Sequence, residues 1–111
     1  NQIWQGDANS YLARSFPLCG NPANIINVVG PEILSVRDIA KKVGELLNVA
    51  PRFVGSECDT ALLGNANSLV HELGFNETSV EQMIQWTVHW VTIGGRSLDK
   101  PTKYEMRTGK F

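Results

Sequence analysis

This chain has little of what marks an extracellular scaffold, a membrane protein or a self-contained catalyst. Its two cysteines, Cys19 and Cys58, form no CxxC pair and are too few for a disulfide framework, so a reducing, cytoplasmic setting is the expectation. No apolar run approaches the roughly 20 residues a bilayer-crossing helix needs. The opening NQIWQGDAN has neither a basic n-region nor an apolar h-region, the parts of a secretory signal. A net charge of -1 gives no broad attraction to phosphate backbones or anionic lipid, and neither a nucleic-acid nor a membrane partner is expected. The two histidines, His71 and His89, have no ligand-spaced Cys, Asp or Glu around them, so no metal is expected. There is no GxSxG elbow, and Gly94-Gly95-Arg96 follows an expected helix instead of opening one, the unfavourable end for a phosphate. Cys58 stands beside Asp59, and an adjacent carboxylate raises a thiol pKa instead of activating it.

What is present is ordinary globular material. The length of 111 residues fits one domain, and the composition, 42% hydrophobic and 19% charged, is that of a folded chain. Half of the ten basic residues, Arg96, Lys100, Lys103, Arg107 and Lys110, crowd the last sixteen positions. The expected division is a body over 1–95 and a basic tail over 96–111.

Short strands alternating with about four helices are predicted. Asp7 is the expected cap of a first helix with Ala8, Tyr11, Leu12 and Ser15 on one face, closed by Pro17 and Gly20. Ile25 to Val29 reads as a β-branched strand between Asn-Pro and Gly-Pro. Ser35 caps a second helix, with Asp38 at its third position; Val36, Ile39, Ala40, Val43, Leu46 and Leu47 form its apolar stripe, and Asn48 with Pro51 ends it. Arg52 to Val54 reads as a second strand. Asn65 caps a short helix that runs through Leu73 to a left-handed stop at Gly74. Thr78 or Ser79 caps the longest helix, with Val80, Met83, Ile84, Thr87, Val88 and Val91 buried and Gly94-Gly95 as terminator. Trp86, His89 and Trp90 stand beside that stripe, as in a core or at an interface.

The order of these segments, NVVGPEILSVRDIAKKVGELLNVAPRFVG, then NANSLVHELGF, then WTVHWV, preceded by QIWQGDANSYLAR, resembles the C-terminal, substrate-binding part of the extended short-chain dehydrogenases, the NAD-dependent epimerase/dehydratase family. The resemblance covers nearly the whole chain and rests on order, since no single motif is diagnostic. It implies an α/β fold, specifically an α+β arrangement of short strands and helices without the Rossmann half, and a strand over Ile3 to Asp7. It implies a nucleotide-sugar or similar hydroxylated substrate, NAD(P) bound by an N-terminal Rossmann domain that would be this piece's partner, and a possible homodimer. The family's GxxGxxG and YxxxK are not in this chain: Tyr11 is followed four residues on by Ser15, and Tyr104 by Thr108. A fragment unable to catalyse alone is therefore expected, with no catalytic, cofactor or metal residues of its own.

The carry-over of site residues is thin. One family arginine that contacts the diphosphate would precede Asn1. A second falls at Val54 or Gly55, where Arg52 is the nearest cation. The family's aspartate is Asn65 here. Arg52, Glu57, Asp59 and Asn65 are the candidate substrate contacts, with a plain solvent loop over 55–62 as the competing reading, and Trp86 and Trp90 are the candidate interface. Two other readings stay open: a non-catalytic regulator of the same superfamily that senses dinucleotide, and a stand-alone interaction module whose partner groove is the WTVHWV face.

Overall fold

The computed structural model describes residues 1–101. Among them the regular elements are α1 (Gln5–Arg14), a 3₁₀ turn (Phe16–Leu18), α2 (Val36–Leu47), α3 (Asn67–Leu73) and α4 (Val80–Thr92). The expected α/β arrangement is therefore wrong: the described residues contain no strand and no sheet. Ile25–Val29 and Arg52–Val54 lie outside regular structure, and the strand implied over Ile3–Asp7 is replaced from Gln5 onward by α1.

The failure of the strands has a physical cause. β-propensity expresses how well a side chain fits a pleated, half-buried surface, and a strand also needs a neighbouring main chain within about 5 Å to receive its hydrogen bonds. The segments around Asn1, Val29 and Gly64 do run together, yet they are joined through side chains. The Asn1 carboxamide donates to the Gly64 carbonyl at 2.7 Å and accepts from the Gly64 amide at 3.2 Å, and Asn27 donates to the Asn65 carbonyl at 3.4 Å. Gly30 sits so tightly on the Gln2 main chain that a Cβ would collide with it, but no main-chain hydrogen bond joins the two. Ile25 and Val54 stay 88% and 81% exposed, and the pleated surface that favours such residues never forms.

The helices follow local chemistry closely. Ser35 accepts from the Asp38 amide at 3.3 Å and caps α2; Ser79, not Thr78, caps α4 by accepting from Gln82 at 3.2 Å. α2 ends in a left-handed Asn48, with the Asn48 amide bonded to the Glu45 carbonyl and Val49 to Gly44. α4 ends the same way at Gly94, φ 68°, with Gly94 bonded to Val91 and Gly95 to Trp90. Both are the paired-bond closure that satisfies orphan carbonyls. Asn65 acts at the head of α3 through its side-chain oxygen, which accepts from the Asn67 amide at 2.9 Å, while Gly74, φ 80°, stops that helix. Asp7 differs from expectation. It lies in the first turn of α1 and caps nothing, because its carboxylate is engaged elsewhere.

α2 and α4 pack on each other, with Ile39 and Val43 facing Val80, Met83 and Ile84 around a common groove. Lys42 reaches Glu81 across the pair at 3.3 Å, an exposed contact that contributes little. A second cluster joins α1 to α3 and the segment between Ile26 and Val28 around Tyr11 and Leu69. Among the described residues, the buried hydrophobic side chains are Tyr11, Leu69, Ile84 and Ala66. The radius of gyration of 16.4 Å exceeds the about 13 Å of a compact chain this long, so many apolar side chains remain at the surface.

The closure of α4 leaves no room at Gly95, where a Cβ would enter the Trp90 indole. In urea denaturation Gly95→Ala is expected to cost about 1–3 kcal/mol through overpacking, and Ser35→Ala about 1 kcal/mol through loss of its cap.

Candidate functional site

The turn after α3 and one face of α1 build a polar cleft. Asp7, Ser10, Tyr11 and Arg14 recur at helical spacing, so they share one stripe of α1, and that stripe faces the Gly74–Thr78 turn. Asp7 takes two hydrogen bonds from Thr78, from its amide at 3.0 Å and its hydroxyl at 3.1 Å. Tyr11 donates to the Gly74 carbonyl at 2.8 Å, and Arg14 donates to the Leu73 carbonyl. Inside the turn, Asn76 donates to the Thr78 carbonyl at 2.6 Å. The turn is thereby held to α1 at three points, and α1 presents polar groups to its neighbour where the apolar spacing had placed Leu12, which is 65% exposed.

Between these elements lies a cleft of ≈ 260 Å³ lined by Trp4, Ser10, Arg14, Phe75, Asn76 and Glu77 together with the tie residues. Two aromatic rings border donors and acceptors of both charge signs. Arg14 uses one of its nitrogens on Leu73, sits 5.6 Å over the Tyr11 ring, and keeps further donors for another group. Burial pushes the Tyr11 phenol above its ordinary value of 10.0; the Asp7 and Glu77 carboxylates push the same way and Arg14 opposes them.

The expected substrate contacts are placed differently. Glu57 pairs with Arg37 at 2.7 Å, and Arg37 also lies 4.3 Å over the Phe53 ring, so this carboxylate secures the loop to α2. Asn65 is occupied at the head of α3. Arg52 and Asp59 are exposed and make no ion pair or hydrogen bond among the described residues. None of the four lines the α1 cleft. Among the described residues, no group of three or more His, Cys, Asp or Glu could hold a metal ion.

Trp86 and Trp90 are surface residues, 42% and 52% exposed. They border an apolar hollow of ≈ 600 Å³ with Trp4, Thr87 and His89. Trp4 is the member that the sequence pattern missed; its ring stacks on Trp86 with centroids 5.0 Å apart and planes tilted by 59°. Tyr11 was placed on a buried face without its partner, although a buried phenol hydroxyl calls for one. Arg14, Asn76 and Glu77 carried no signal, because their convergence depends on α1 meeting a turn more than fifty residues away. Of the basic tail expected over 96–111, positions 102–111, with Lys103, Arg107 and Lys110, lie outside the described residues. No helix among them is long and apolar enough to cross a membrane.

No family model matches the chain, and neither does any curated protein or solved structure.

Tyr11→Phe leaves the Gly74 carbonyl without its donor and is expected to cost about 1–3 kcal/mol. Because the folded phenol titrates above the unfolded one, the folded state binds more protons once pH exceeds 10.0, and stability falls as pH rises through the folded value. Urea midpoints of the parent chain should be insensitive to this group below pH 10 and decline above it; in Tyr11→Phe that part of the decline should disappear.

Proposed function

We propose that this chain is the substrate-binding portion of an NAD-dependent epimerase/dehydratase-type enzyme, cytoplasmic and unable to catalyse alone, and that it holds a hydroxylated, sugar-like group of a nucleotide sugar. The observation that carries this reading is the α1 cleft. Arg14, Asn76, Glu77 and Ser10 between Trp4 and Phe75 combine hydrogen-bonding groups with apolar ring faces, the composition that suits a molecule with hydroxyls on its rim and C–H groups on its faces. The ≈ 260 Å³ space suits a sugar-sized group and leaves the nucleotide outside. The order of segments around α2, α3 and α4 adds support from sequence.

Hydride chemistry belongs to the dinucleotide that the parent enzyme would bind; this chain's own residues do not fit that cofactor. Gly74 and Gly94 close the carbonyl ends of their helices, where a phosphate is disfavoured. At the start of α1, the space beside Gly6 is filled by the Trp4 indole. The role left to the chain is positional: Asp7, Tyr11 and Arg14 hold the turn against α1, which sets the distance between Glu77 and the α1 stripe and spares the site reorganisation on binding. The open tryptophan face favours a second reading, an interaction module, which needs no substrate.

Amide chemical shifts of the isotope-labelled chain test the first reading. UDP-glucose is expected to move Ser10 and the Phe75–Thr78 amides saturably with a dissociation constant on the order of 1 mM, and Glu77→Ala to weaken this by about fivefold, the worth of one hydrogen bond. UDP alone and NAD should leave those amides in place. Saturable NAD binding, or an equal response to UDP and UDP-glucose, overturns the proposal, as does an unresponsive cleft at about 10 mM sugar nucleotide.

A further inference from the structure

We propose that the α1 cleft prefers a sugar carrying a free ammonium group, that is, a nucleotide-linked amino sugar, and that Glu77 is the residue that sets this preference. The preference rests on the sugar-binding reading of the cleft and names the class of sugar within it. Three ionised side chains line the space, the Asp7 and Glu77 carboxylates and the Arg14 guanidinium, which leaves one negative charge in excess. They differ in what already occupies them. Asp7 accepts from both the amide and the hydroxyl of Thr78. Arg14 donates to the Leu73 carbonyl and lies over the Tyr11 ring. Glu77 is exposed and makes no hydrogen bond or ion pair among the described residues, so it is the charge in the cleft that a ligand can pair without displacing a partner.

The neutral polar groups point the same way. Tyr11 gives its single hydroxyl proton to the Gly74 carbonyl, so its oxygen can only accept from a ligand. Asn76 spends an amide N–H on the Thr78 carbonyl and keeps its oxygen as an acceptor. With Glu77, the groups left over are mainly acceptors, and an ammonium is the substituent that brings three donors and no lone pair. The aromatic rings of Trp4 and Phe75 border the same space, and ring faces attract cations. A ligand carboxylate meets the reverse balance, two like charges against one guanidinium that is already engaged. Since Glu77 is exposed, water and salt screen its charge. The preference is accordingly a few-fold bias among sugars and not an absolute selection.

Amide chemical shifts of the isotope-labelled 111-residue chain, followed at Ser10 and Phe75–Thr78, test the preference with UDP-glucosamine, UDP-glucose and UDP-glucuronate at about pH 6, where an amine is protonated. UDP-glucosamine is expected to bind about fivefold tighter than UDP-glucose, and UDP-glucuronate about fivefold weaker, the scale of one exposed charge contact. The spread should shrink as salt rises from about 20 to 500 mM. Glu77→Gln keeps the length of the side chain and an acceptor oxygen while removing the charge. In that variant UDP-glucosamine is expected to fall to the affinity of UDP-glucose, with UDP-glucose itself within about twofold of its affinity for the parent chain. Equal affinities for the three compounds, a preference for UDP-glucuronate, or a UDP-glucosamine preference that survives Glu77→Gln each overturns the proposal and leaves the sugar-binding reading standing. The absence of a saturable shift with any of the three overturns both.

Discussion

The tie between α1 and the Gly74–Thr78 turn is the constraint on which the rest of the structure depends. Asp7 to Thr78 and Tyr11 to Gly74 are hydrogen bonds between residues 71 and 63 positions apart, and each must offset the entropy of closing a long loop. Hydrophobic burial is non-directional and here reaches full burial at few residues, so it does little to choose among placements of a short helix. The hydrogen bonds make that choice. Tyr11 serves both roles, its ring among the most buried in the chain and its hydroxyl on the turn.

Once α1 is fixed, the neighbouring features follow. Trp4, immediately before α1, is brought against Trp86, which places the N-terminal segment over the α2–α4 pair and carries Ile3 into their groove. Asn1 then reaches Gly64, and Gly30 accepts the Gln2 main chain at close approach. Three extended segments are gathered by these contacts into a common layer that never acquires a main-chain ladder. The α1 cleft is a by-product of the same tie, since the turn that Asp7 grips also carries Phe75, Asn76 and Glu77.

The surface divides by chemistry. The cleft mixes charge and aromatic rings, while the α4 face is apolar apart from Thr87 and His89. The loop after α2 is tied to that helix by Arg37, which pairs with Glu57 and lies over Phe53, and Arg52 and Asp59 beside those residues are exposed. Large apolar side chains outside the small core and the cleft, such as Ile25 and Ile33, remain exposed. They are scattered, and single exposed hydrophobic residues are normal on a protein surface. The contiguous group around Trp86 is different in kind.

The sequence by itself determined α2, α3 and α4 and their ends, while α1 starts at Gln5 and stops at Arg14, before Pro17, instead of beginning at an Asp7 cap. Ser35, Asn48, Gly74, Ser79 and Gly94 each act within four residues of their own position, so a local pattern is enough to read them, and Asn65 differs from expectation only by a residue of register. The apolar stripes of α2 and α4 were legible only in part: Ile39, Val43, Val80, Met83 and Ile84 face the common groove, whereas Val36, Leu46, Leu47, Thr87 and Val91, expected beside them, are exposed. The tertiary structure alone decided whether Ile25–Val29 and Arg52–Val54 became strands, because a strand is completed by a distant main chain and none came within bonding geometry. It alone turned Asp7 from a cap into a tie and assigned Glu57 to Arg37. It also brought Arg14 and Glu77 to one cleft and Trp4 to Trp86. Each of those outcomes depends on a partner far along the chain, and a linear pattern states what a side chain can bond but not which group arrives to bond it.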